Sequence, residues 1–199
     1  MDIPHRTVCW EPLWNPKRSG LGLEQLLLSP HAADSVILAF DEERGPFRLT
    51  YRLRWDAQWR LHEAQLDAAT EQDTKSLRLQ ADGQGNWCGS DGQPIEELAG
   101  CIDIDIWPTP FTNSFPLRRD PLAVGERREY RMAWVLAPAL TLQPVPQAYT
   151  RLAERLYLFE NLDGSGFKAE LPVDEDSLVL DYPDFFRRVP RTSASSRKR

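Results

Sequence analysis

Residues 101–120, CIDIDIWPTPFTNSFPLRRD, place two carboxylates, an amide, hydroxyls and two guanidiniums within a single short stretch. On an extended backbone Asp103 and Asp105 lie about 6.5–7 Å apart. That spacing suits a glycosidase-type carboxylate pair, although such acids usually come from different elements. An Asp-x-Asp pair can also hold a divalent metal beside a nucleotide sugar. The chain lacks the alternating strand–helix pattern of a nucleotide-binding fold. Two readings remain. In one, the acids pair with Arg118 or Arg119 and accept N–H bonds at the proline-rich turn; in the other, the cluster meets the polar head of a ligand. Adjacent side chains on a strand point to opposite faces, so both arginines can serve one site only if the backbone bends. Thr112 and Asn113 are turn formers first and candidate ligands second.

Outside this stretch the candidates are fewer. Trp55 and Trp59 bracket a turn, and Trp59 could stack on a sugar ring as well as fill the core. Glu24 sits off a leucine face, as a candidate polar group of a cavity or as an exposed residue. His5, His31 and His62 are scattered without metal spacing, and no H-E-x-x-H, G-x-S-x-G or phosphate-cradling glycine loop occurs. No catalytic residue, metal or cofactor is therefore assigned.

The elements that position these residues are mostly strands. Ile102, Ile104 and Ile106 alternate with the two aspartates. Phe47, Leu49, Tyr51, Leu53 and Trp55 alternate with Arg48, Thr50, Arg52 and Arg54, the clearest half-buried strand in the chain. Further strands are expected over 7–12; over 21–28, with Leu21, Leu23 and Leu27 on one face and Glu24 on the other; and at Val36, Leu38 and Phe40. More follow at Leu61, at Leu77 and Leu79, at Tyr130 to Leu136, over 167–173 and over 178–181. Turns fall at 82–86 and 163–166. The period then changes. Val145, Tyr149, Leu152, Leu156 and Phe159 recur at helical spacing, which predicts one amphipathic helix with Pro146 near its first turn. A long antiparallel sheet curled as a half-barrel around that helix buries its apolar face.

Composition sets the bounds. The 199 residues, 41% hydrophobic, fit one domain over 1–186, and the seven tryptophans and sixteen prolines favour sheets and turns. Six basic residues and no acid lie from Arg187 onward, in a tail over 187–199 expected to be disordered. The body then carries 18 basic against 30 acidic residues, a poor match for nucleic acid. The tail could touch anionic lipid headgroups. No apolar run reaches the roughly 18 residues of a spanning helix, and no export signal is evident. The widely spaced Cys9, Cys88 and Cys101 suit reduced thiols. The expected location is cytoplasmic.

The sequence DIDIWPTPFTNSFPLRR resembles the hallmark motif of the bacterial glycolipid-binding family, the spiral β-roll proteins. The likeness continues through GLEQL (22–26), YRLRWDAQWR (51–60), GNW (85–87), LAGCIDID (98–105), QAYT (147–150) and LVLDYPDFFRRV (178–189). Asp120 stands where the family pattern has an apolar residue, and Ser177 where it has a turn glycine. The resemblance implies a spiral β-roll wound around one helix and a role like that of half-barrel lipid carriers; it also suggests a homodimer. It brings no catalytic residues.

Together these readings point to a protein that holds a lipid or glycolipid, met at the inner membrane face. Acyl chains would lie between the helix face (Tyr149, Leu152, Leu156) and the sheet. The head would meet Asp103, Asp105, Thr112, Asn113, Arg118 and Arg119, with Trp59 and Glu24 as further contacts. The alternatives are a hydrolase or transferase using Asp103 or Asp105, and a dimeric interaction protein with a filled core.

Overall fold

The computed structural model describes residues 5–13, 22–42 and 45–190. Within them the protein is mainly β: one nine-stranded sheet, one curled five-stranded sheet and a single short α-helix. The large sheet is antiparallel. It runs through β1 (Arg6–Pro12), β2 (Leu23–Ser29), β3 (Ala32–Asp41), β4 (Gly45–Trp55), β5 (Leu61–Ala69), β6 (Thr74–Ala81) and β7 (Trp87–Cys88). The small sheet holds β8 (Asp103–Trp107), β9 (Arg127–Leu136), β10 (Thr141–Ala153), β11 (Leu156–Asn161) and β12 (Lys168–Pro172), with β8 parallel to β9. β13 (Asp181–Tyr182) and β14 (Phe186–Arg188) return to the large sheet, where β14 pairs with β1.

Two registers explain the layers. β4 buries Phe47, Leu49, Tyr51, Leu53 and Trp55, as its alternation requires. They meet Ile104, Ile106, Ala133 and Val135 from the small sheet in one core, which Phe111 and Phe115 complete. The small sheet's opposite face carries a second core of Tyr149, Tyr157, Phe159, Leu171 and Val179. β8 is therefore covered on both faces at Asp103, which is buried, while Asp105 is only partly covered.

Three expectations are corrected. The stretch with helical spacing, 145–159, is a strand hairpin of β10 and β11 with a register shift between Arg151 and Ala153. The polar Gln147 occupies a buried position of β10, and the irregularity with the Glu154–Arg155 turn resets the phase, so a period of two imitates 3.6. The α-helix is instead α1, Ser114–Arg119, inside the central stretch and preceded by a 3₁₀ turn at Phe111–Asn113. On β2 and β3 the faces are reversed. Leu23, Leu27, Val36 and Leu38 point outward, while Glu24, Leu26, Leu28, Ser35 and Ile37 are buried. Finally, the basic end of the chain begins inside the sheet: Arg187 and Arg188 belong to β14, and Arg188 stacks on Trp10 with its guanidinium 4.6 Å from the ring. Residues 191–199 of the expected tail, and Leu21 of the expected β2 face, lie outside the described residues.

Family-like motifs away from the centre hold the scaffold. Gly85, at φ +100°, lies against Gly100, and a Cβ on it would come within 2.9 Å of the Gly100 Cα. Trp87 then donates its indole N–H to the Cys101 carbonyl at 2.6 Å, fixing the entry to β8. Ser177, standing where the family pattern has glycine, adopts φ +60°.

Candidate functional site

The two aspartates of β8 have separate fates. Asp103 is 1% exposed and is gripped by the Arg119 fork, with Nε at 3.2 Å and Nη2 at 2.6 Å. Arg119 comes from the last turn of α1, so the helix is clamped end-on to the strand. Burial pushes the Asp103 carboxyl up and the guanidinium pulls it back down. Burial works against the charge on Arg119 as well, yet Asp103 and Asp120 hold it above its ordinary value. Arg118, one residue earlier and turned by the helix, lies 4.8 Å over the Trp59 ring and 3.7 Å from Asp176. The arginines serve different surroundings, Arg119 at Asp103 and Arg118 at Trp59 and Asp176.

Among the described residues, Asp105 is bound by neutral donors. Thr112 Oγ1 donates to it at 3.1 Å and Gln147 Nε2 at 2.6 Å. Burial pushes its carboxyl up, and those two hydrogen bonds oppose the shift. Thr112 also accepts the Ile106 N–H at 3.2 Å. Asn113 donates to the Pro110 carbonyl at 3.1 Å and accepts the Tyr149 hydroxyl at 2.7 Å. The structure thus brings together Asp103, Asp105, Thr112, Asn113, Arg119 and Tyr149 on one face of the small sheet.

It does not bring in the others. Trp59 is buried and stacked on Trp55 at a centroid distance of 4.9 Å. With Phe111 and Phe115 these rings fill the space beside α1. The helix face expected to cover acyl chains does not form, since Tyr149, Leu152 and Leu156 lie on strands β10 and β11. Leu152 is exposed near the end of β10, and Leu156 starts β11 half-buried. Glu24 is buried at 2% exposure in a polar knot of its own. It accepts from Ser35 at 2.9 Å, Tyr51 at 2.6 Å and Thr109 at 2.7 Å.

Asp105 is also the edge of a cleft of about 280 Å³ that the sequence reading did not single out. Its floor is the face of the small sheet beyond α1. Asp105, Trp134 and Gln143 share a rung across β8, β9 and β10, and Gln147 faces Asn161 across β10 and β11. Trp107, Phe159 and Phe167 with Tyr182 and Phe185 wall it, and Asp163 lies at its rim. The aromatics support one another edge to face: Trp107 to Phe185 at 5.6 Å, Phe167 to Phe185 at 5.4 Å, Tyr182 to Phe185 at 5.4 Å. Gln147 Oε1 and Asn161 Oδ1 are buried and have no hydrogen-bond partner among the described residues. Such buried acceptors are normally satisfied, and a ligand is one way to satisfy them. A larger groove of about 530 Å³ on the other sheet is lined by Leu38, Phe40, Pro46, Phe47 and Arg48 and has no comparable polar set. Half-exposed aromatic faces beside a carboxylate and two amides are equipped to hold a ring with one apolar face and a hydroxylated rim. The cleft holds no Asp103, so the Asp-x-Asp pair does not act there as two facing acids.

The sequence model of the family described as "Putative glycolipid-binding" matches residues 8–188. The crystal structure of a DUF1089 family protein from Pseudomonas aeruginosa is similar at 49% identity and a TM-score of 0.84, covering 86% of this chain and 94% of that one. No curated protein matches the chain.

Proposed function

Because the chain belongs to that glycolipid-binding family, we propose that it binds a glycolipid by its sugar head, seated in the cleft beside Asp105, with the alkyl part left outside. The observation that carries this reading is the aromatic-walled cleft whose floor offers a carboxylate and two buried, unpaired amide oxygens. An apolar ring face would lie on Trp107 or Trp134, and hydroxyls would donate to Asp105, Gln147 and Asn161. The packed aromatics around α1 favour recognition of the head over envelopment of the tail. Asp103, Arg119, Thr112, Asn113 and Tyr149 support the site by holding β8 and β10 in place. Contact with a membrane surface and self-association would accompany this role and are separate questions for vesicle binding and sedimentation.

The test is calorimetric titration with octyl β-glucoside below its micellar concentration. Trp134→Ala is expected to weaken binding at least about tenfold, as truncation of a central aromatic does. Leu152→Ala, at an exposed position outside the cleft, should leave it unchanged. Equal affinity of wild type and Trp134→Ala would refute the placement.

A further inference from the structure

We infer that the sugar held in this cleft carries a protonated amine, so that the bound head is a free hexosamine rather than a neutral, acylated or acidic sugar. The inference rests on the cleft being the head site and narrows its ligand class. Among its described lining residues are two carboxylates, Asp105 and Asp163, and no lysine, arginine or histidine. Both arginines of the central stretch are engaged elsewhere, Arg119 on Asp103 and Arg118 over Trp59. Among the described residues Asp105 receives an amide and a hydroxyl but no cation. Burial opposes ionisation of a carboxyl that has no counter-charge, and a cation from the ligand offsets that opposition by pairing with it.

The amides point the same way. Gln147 commits its Nε2 to Asp105, and Asn161 commits its Nδ2 to Asp163 at 2.8 Å. Each carboxylate fixes which way its amide is turned, so each carbonyl oxygen must face away, and both oxygens are buried and unpaired. An ammonium supplies three donors and no acceptor, the complement of this set. Aromatic faces at Trp107 and Trp134 attract a cation further. A phosphate or uronate would instead meet two like charges.

The test titrates the full chain with octyl β-glucosaminide, its N-acetyl derivative, octyl β-glucoside and octyl β-glucuronide. High salt suppresses long-range attraction to the acidic body. The glucosaminide is expected to bind at least about tenfold more tightly than the glucoside. N-acetylation should abolish that gain, and the glucuronide should bind weakest. Asp105→Asn should reduce the glucosaminide-to-glucoside ratio to near one. A wild-type ratio near one, or a preference that survives Asp105→Asn, overturns the amine inference while glucoside binding keeps the head-site reading. Failure of all four glycosides to bind overturns both.

Discussion

Replacing Arg119 by methionine is expected to destabilise the protein by about 3–5 kcal/mol, because it strands the Asp103 carboxylate in the interior. Asp103 is 1% exposed, and its two oxygens take both donors of one fork. Methionine fills much of the arginine's stem volume, so the loss reports the charge rather than a cavity. The paired replacement Asp103→Leu with Arg119→Met should recover most of the loss, since the desolvation penalty vanishes along with the attraction. Chemical denaturation of the three proteins checks this. A single-variant loss below about 1 kcal/mol, the size of an exposed pair, would show that the clamp between α1 and β8 is superficial.

The second large effect is a pH dependence lodged in Glu24. Burial pushes its carboxyl up to about 7, against the hydrogen bonds from Tyr51, Thr109 and Ser35 and the more distant charge of Arg188. Tyr51 and Cys9, titratable groups near it, are themselves pushed up by burial and by Glu24. The native state therefore holds this proton where the unfolded chain, with an ordinary glutamate, has released it. Stability from this group is complete below about pH 4.5 and is lost as pH rises towards 7. The size is roughly 3 kcal/mol across that window. Glu24→Gln keeps the shape and removes the titration. Measured by urea denaturation from pH 4.5 to 7.5, wild type should lose stability relative to Glu24→Gln, and the difference should flatten above pH 7. Parallel curves would mean that the three hydroxyls solvate the carboxylate fully.

Glu24 also shows where sequence patterns mislead. On β2 the leucines at 23 and 27 looked like a core face, yet the buried face is Glu24, Leu26 and Leu28. Both faces of β2 carry leucines, so hydrophobicity could not choose between them. The choice falls to the hydrogen-bonded set of Glu24, Ser35 and Tyr51, drawn from three strands. β4 was legible because arginine marks nearly every outward position. The β10–β11 hairpin was not: Pro146 and the buried Gln147 interrupt its alternation, and the turn at 154–155 shifts the phase. Arg118 and Arg119 looked interchangeable until a helix sent them to different partners.

The central stretch announced a polar cluster, and the cluster exists. What it could not announce is that β8 divides it, with Asp103 in an internal ion pair and Asp105 on a cleft. The remaining cleft residues come from positions 134, 143–147, 159–167 and 182–185, and only the pairing of β8 to β12 with the 182–185 turn gathers them. Each alone reads as an ordinary strand aromatic or a turn amide.

The most direct measurement is fluorine NMR of protein labelled with 5-fluorotryptophan, titrated with octyl β-glucoside and, separately, with an octyl ether lacking sugar. The signals of Trp107 and Trp134 are predicted to move with the glucoside alone, while those of Trp10, Trp55, Trp59 and Trp87 stay in place. Movement of Trp55 and Trp59 would place the ligand in the interior around α1, and identical shifts with both amphiphiles would remove the sugar from the account; either contradicts it.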